Sequence, residues 1–235
     1  MHEHISSAYD RDLEGITTLI LQMGGLVEEA ILQSAESLAT RDVELAEKVK
    51  AADKAIDALE LQINEEAART IALRAPVSKD LRAILTVLRL AASLERIGDY
   101  SKNIAKRTSV VVEMAPITGA DTALRRMARE VQAMLKDTLD AYTRSDADLA
   151  ESVRQRDQEV DQMYNALFRE FLTFMMEDPR QITPCMHLHF MAKNIERMGD
   201  LTTNMAEQII YLVTGEMPEE ARPKGDRTAY VSDVS

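Results

Sequence analysis

Glu95-Arg96-Ile97-Gly98-Asp99 decides the fold, because the chain repeats it 101 residues later as Glu196-Arg197-Met198-Gly199-Asp200. Each copy runs on to an asparagine at the next turn, Asn103 and Asn204, followed by Ile104-Ala105 and Met205-Ala206. The surrounding apolar spacing is helical, and on a helix positions four apart share a face. Glu, Asp and Asn therefore stack in one oxygen-bearing stripe, twice. Two acids at that spacing repel unless a cation lies against them.

A second repeat lies upstream of each copy. Val49 to Glu66 aligns with Val153 to Glu170 at an offset of 104, pairing Asp53-Lys-Ala-Ile-Asp57 with Asp157-Gln-Glu-Val-Asp161. Leu59 and Ile63 align with Met163 and Leu167. Each half thus carries two acidic i,i+4 pairs, one on its second helix and one on its third. The offsets differ because the connections differ in length.

Periodicity and breakers mark six long helices. The spacing of Leu13, Ile16, Ile20, Met23 and Val27 predicts a first helix from about Asp12 to Ala39, broken at Thr40-Arg41-Asp42. Leu45, Val49, Ala52, Ile56, Leu59 and Ile63 predict a second over Val43–Arg74, and Pro76 separates it from a third over Ser78–Val112. Pro116 and Gly119 mark a linker. The second half follows with helices over about Asp121–Tyr142, from Ser145-Asp146 to Met176, and from the Pro179/Pro184 region to near Gly215. The expected architecture is all-α: two tandem, pseudo-symmetric three-helix bundles, residues 1–115 and 120–216, with 217–235 as a flexible tail. A composition of 4% aromatics, no Trp, eight Gly and six Pro suits long helices with aliphatic cores.

A net charge of −12 argues against nucleic acid and anionic membrane surfaces as partners, and favours cations or basic protein surfaces. Cys185 is the single cysteine, so no intramolecular disulfide forms. The start lacks a signal-peptide pattern, and no apolar stretch is read as reaching the roughly 18 residues of a membrane span. A cytoplasmic location is expected.

With Leu94 at zero on a helical wheel, the acids Glu95 and Asp99 fall at roughly 100° and 140° and Asn103 at roughly 180°, away from the apolar seam. Asp53 and Asp57 fall at the edge of the stripe around Ile56. The two pairs are expected to meet on an outer face between the second and third helices, rather than as a buried dyad. Carboxylate and amide oxygens suit Mg²⁺, Mn²⁺ or Fe. Salt bridging to Arg82, Arg89, Arg96 or Lys193 is the competing reading. Gly98 and Gly199 imply either close helix packing or ligand access. His187 and His189 face different sides. Glu-x-x-His, HExxH, Walker A, GxGxxG and GxSxG are all absent, and the thirteen methionines read as core filling.

The duplicated E-R-x-G-D-x-x-x-N with its preceding Asp pairs resembles the PhoU family of bacterial phosphate-signalling regulators. Arg74-Ala-Pro76 with Asp80-Leu81-Arg82, Met23-Gly24, and Tyr211-Leu-Val-Thr-Gly215 agree, over roughly residues 1–216. The second half has Gln181-Ile182-Thr183 where the first has Asp80-Leu81-Arg82, so a role for Arg82 is confined to the first half. The resemblance implies divalent or multinuclear metal (Mg, Mn, Fe or Zn) held by Asp53/Asp57 with Glu95/Asp99 and by Asp157/Asp161 with Glu196/Asp200; Asn103 and Asn204 are additional candidates. It implies a non-enzymatic negative regulator of the phosphate-starvation response and of phosphate uptake. That regulator contacts a phosphate-specific ABC transporter, through its ATPase subunit, and a sensor histidine kinase. Exposed helix faces suit a homodimer. Two other readings stand beside it: a carboxylate-cluster metalloenzyme, and a structural scaffold with salt-bridged acids.

Overall fold

The computed structural model describes residues 2–218. It contains α1 (His2–Ala39), α2 (Val43–Arg74), α3 (Ser78–Val111), α4 (Ala120–Arg144), α5 (Ala147–Glu177) and α6 (Ile182–Thr214). No strand occurs among the described residues. Apart from 217 and 218, the expected tail lies outside the described residues.

Local chemistry sets the boundaries. Asp42 caps α2 by accepting the Leu45 amide at 2.9 Å, and Asp146, its equivalent 104 residues on, caps α5 by accepting the Leu149 amide at 2.9 Å. Ala75 ends α2 in the left-handed region, just ahead of Pro76. A single 3₁₀ turn, Pro179–Gln181, leads into α6. The first helix begins at His2, ten residues before the sequence expectation. Tyr9 anchors this extension: its ring is buried and its hydroxyl donates to the Asp80 carbonyl at 2.7 Å. That partner is remote in sequence, so periodicity gave no sign of it.

The helices form two bundles, α1-α2-α3 and α4-α5-α6. Each half turns its first and third helices toward their counterparts, giving α1·α4 and α3·α6 contacts. The numbering fixes α3 and α6 as antiparallel. Arg82 meets Tyr211, Arg89 meets Gln208, Tyr100 meets Arg197, and Arg107 meets Phe190 and His187. One apolar core runs through both halves, with Ile16, Ile20, Met23, Ile56, Ile63, Ile84, Leu90, Leu94, Ile97 and Phe171 fully enclosed. Each such side chain contributes roughly 1.5–3 kcal/mol on leaving water.

Gly24 faces Leu139, and a Cβ there would overlap that side chain, so this glycine seats α1 on α4. Ala8–Ala39 is, by length and composition, long and apolar enough to cross a membrane, contrary to the sequence reading. Its apolar residues Ile16, Ile20, Met23, Val27 and Ile31 are instead taken up by the core. This helix reaches a high mean hydropathy with polar residues interspersed, so no uninterrupted apolar run marks it.

Both halves end on an arginine supplied from elsewhere. Arg41 donates to the Val112 and Met114 carbonyls after α3. Arg82 donates to the Tyr211 carbonyl at 3.3 Å near the end of α6 and lies over the Tyr211 ring.

Candidate functional site

In the first half, α2 and α3 bring Asp53, Asp57, Glu95 and Asp99 together, as their spacing predicted. Gly98 makes the approach close: a Cβ there would lie 3.0 Å from Ile56 Cδ1 and 3.8 Å from Asp53 Oδ1. Asp53 is only 5% exposed, Glu95 and Asp99 are half-buried, and Asp57 stays mostly open. Lys102 closes the cluster. Its ammonium donates to Asp53 Oδ2 and, at 2.6 Å, to Asp99 Oδ1. Burial alone would lower the Lys102 pKa, but these two hydrogen bonds and the charges behind them hold it above the usual lysine value.

One ammonium does not neutralise the group. Partial desolvation raises the Asp57 carboxyl, the Asp53 charge adds to the rise, and Lys102 opposes it. Desolvation likewise raises Glu95, reinforced by the charges of Asp99 and Glu60 and by a hydrogen bond with Asp99. The first-half stripe is a site of uncompensated negative charge.

The second half is built differently. Asp157, Asp161 and Glu196 are 1%, 3% and 4% exposed. The outer-face position read from the first-half wheels fails for Asp53 and does not carry over to these three acids. Asp157 and Asp161 lie within the buried run Val153, Val160, Tyr164, Leu167 and Phe171. That run is the face of α5 turned toward α4 and α6. Asp200 remains half-buried. Gly199 sits against the acids, its notional Cβ 3.4 Å from Asp157 Oδ1. Lys193 supplies the ammonium here, 2.8 Å from Glu196 Oε1 and 4.9 Å from the Tyr164 ring centre, as one sequence reading anticipated. The two lysines are not equivalents in the repeat: one lies three residues after Asp99, the other three before Glu196.

Nearby, His189 packs against Tyr164 and Phe168, with centroids 5.9 and 5.3 Å apart, and burial together with Lys193 lowers its pKa. Asn204 does not join the acids. It lies exposed in a groove with Arg89, Arg96 and Gln208. The four-residue step from Asp200 rotates the helix by about 40°, onto the α3–α6 seam. Asn103, its counterpart, is half-buried.

The arginines named as salt-bridge partners do not serve the acid stripes. Arg82, Arg89 and Arg96 all face α6. The structure uses others instead. Arg154, 6% exposed, links Glu151 and Glu207 at 2.7 and 3.3 Å, and Arg156 links Glu130 and Asp137 of α4 at 2.7 and 2.5 Å. Sequence reasoning missed Lys102, Arg154 and Arg156. The i,i+3 spacings Asp99–Lys102 and Glu151–Arg154 were the available signal. Among the described residues, no three His, Cys, Asp or Glu side chains are already gathered to hold a metal ion.

The duplicated acid faces on paired three-helix bundles have known relatives. The PhoU domain matches twice, over residues 20–108 and 124–209. The chain belongs to the PhoU family. The phosphate-specific transport system accessory protein PhoU homolog of Rhizobium meliloti (strain 1021) is 46% identical over 234 residues, covering 100% of this chain and 99% of that protein. The homolog of Caulobacter vibrioides (strain NA1000 / CB15N) is 46% identical over 226 residues, covering 96% and 98%. Among solved structures, PhoU from Pseudomonas aeruginosa superposes with a TM-score of 0.86 at 38% identity, covering 88% of this chain and 100% of that one. The phosphate transport system regulatory protein PhoU from Streptococcus pneumoniae gives 0.82 at 31% identity, covering 90% and 100%. These PhoU structures share the six-helix arrangement described above.

Proposed function

We propose that this chain is a cytoplasmic, non-enzymatic adaptor that restrains the phosphate-starvation response and phosphate uptake, working between a phosphate-specific ABC transporter and a sensor histidine kinase. The observation that carries this reading is the end-to-end match to phosphate-specific transport system accessory proteins, at 46% identity over all of the chain. A body of six packed helices sharing one core suits a part that transmits contact at one face to another. Deleting the gene tests the proposal. Starvation-response genes should then be expressed in phosphate-rich medium, and the intact chain should restore repression. Normal repression in the deletion strain would sink the regulatory role. Co-purification with the transporter's ATPase subunit and the kinase, each tagged in turn, tests the two contacts separately, and the protein's mass in solution tests the homodimer.

Metal at the acid stripes belongs to the same proposal. The donors fit in kind, being carboxylate oxygens suited to hard divalent cations. Burial first, and then the charges of the neighbouring acids, raise the Asp57 and Glu95 carboxyls, and a cation would relieve the second of these two causes. Asp53, Asp57, Glu95 and Asp99 would hold it in the first half, with Lys102 displaced; Asp157, Asp161, Glu196 and Asp200 would do so in the second, with Lys193 displaced. A bound divalent ion would neutralise the cluster and cross-link neighbouring helices. Metal content by mass spectrometry, wild type beside Asp99→Ala/Asp200→Ala, decides it. Stoichiometric Mg, Mn, Fe or Zn lost in the double variant supports the sites; none in either protein after reloading leaves the acids to their lysines.

A further inference from the structure

A groove of about 410 Å³ runs along the seam between α3 and α6, lined by Arg89, Ala92, Ser93, Arg96, Asn204 and Gln208. No carboxylate lines it. It presents two guanidinium groups, a hydroxyl and two amides, in a chain of net charge −12. Arg89 and Arg96 are seven residues apart, two turns along one face of α3. Across the seam, Asn204 and Gln208 are one turn apart on α6. Gln208 Oε1 accepts from Arg89 Nη1 at 2.5 Å, which fixes that guanidinium at the groove's edge. Arg96 makes no ion pair or hydrogen bond among the described residues, so its donors stay available.

The other end of the seam shows what a closed version looks like. The repeat counterpart of Arg96 is Arg197, which lies over the Tyr100 ring, 6.0 Å from its centre. The counterpart of Tyr100 is Leu201, so Arg96 has no equivalent ring to cover. Where Arg89 stands in α3, α6 has Phe190, and Arg107 lies over it at 4.5 Å while its Nη1 reaches His187 Nδ1 at 3.3 Å. The duplicated arginine is thus occupied in one copy and left facing an open, acid-free groove in the other.

We propose that this groove binds a tetrahedral oxyanion, a phosphate or phosphoryl group, with Arg96 and Arg89 as the charged donors and Ser93, Asn204 and Gln208 as polar ones. Planar guanidinium groups match the oxygens of such an anion two at a time. The proposal is independent of the adaptor role and of metal at the acid stripes. Isothermal titration tests it with three probes: inorganic phosphate, sulfate and a nucleoside triphosphate, on wild type, Arg96→Gln, Arg89→Gln and Arg129→Gln. Arg129→Gln removes the same charge from an exposed site on α4. The expected result is binding that weakens about tenfold or more in Arg96→Gln and Arg89→Gln, while Arg129→Gln stays within about twofold. Inorganic phosphate binding would identify the free anion; nucleotide binding alone would identify a phosphoryl group on a larger ligand. Failure of all three probes to bind, or equal binding by wild type and Arg96→Gln, would overturn the site.

Discussion

Lys102 touches carboxylates on two different helices, so its removal tests the first-half cluster at the level of a single residue. Lys102→Met leaves Asp53, almost wholly enclosed, without its ammonium, and should cost about 1–3 kcal/mol in urea unfolding. No loss would show that water already compensates Asp53. The neighbouring acids give a pH signature of known sign. Asp57 and Glu95 have folded values raised above their unfolded ones. Between the ordinary carboxylate value and the raised one, the folded chain holds protons that the unfolded chain has released. Their contribution therefore favours folding on the acid side and declines as pH rises through that window. Asp57→Asn/Glu95→Gln should flatten this slope relative to wild type in unfolding measured across a pH series; an unchanged slope refutes the assignment. At this scale the sequence was legible where the interaction was local. The meeting of Asp53/Asp57 with Glu95/Asp99 followed from spacing. The depth of Asp53, Asp157 and Asp161 did not, because a wheel drawn for one helix does not say how closely its neighbours pack over it.

Among elements, the helices themselves were the most readable feature, since Asp42, Asp146, Pro76 and the glycine-bearing linker all act within one turn of their own position. The start of α1 was not, since Tyr9 finds its partner in α3. Packing between elements is better tested at Gly24 and Gly25, adjacent in sequence and opposite in setting. Gly25 is exposed, with nothing near a notional Cβ, so Gly25→Ala should stabilise by about 0.5–1 kcal/mol through helix propensity. Gly24→Ala drives a methyl group into Leu139 and should instead destabilise by about 1–3 kcal/mol. Thermal or urea unfolding of the two variants reads both signs, and a stabilised Gly24→Ala would mean that α1 and α4 are not held as closely as described.

For the whole molecule, the internal repeat announced two halves but not how they meet. The sides of α3 that carry Arg82, Arg89 and Arg96 were open to assignment from sequence, because only the α3·α6 contact decides them. That contact and α1·α4 make the core continuous, so the intact chain should unfold in one cooperative urea transition. A fragment of residues 1–115, with the inner sides of α1 and α3 laid open, should unfold at a markedly lower urea concentration or precipitate. A fragment as stable as the intact chain would show that the seam contributes little. The clasp of Arg82 on Tyr211 carries one more consequence. Gly215, turning at φ +87°, leaves room for that guanidinium, since a Cβ there would come within 2.7 Å of Nη1. A ribosome delivers the start of α3 long before it delivers Tyr211, so Arg82 waits through most of synthesis for its seat. A product that stops before Tyr211 lacks that seat, and the start of α3 is left without its cover.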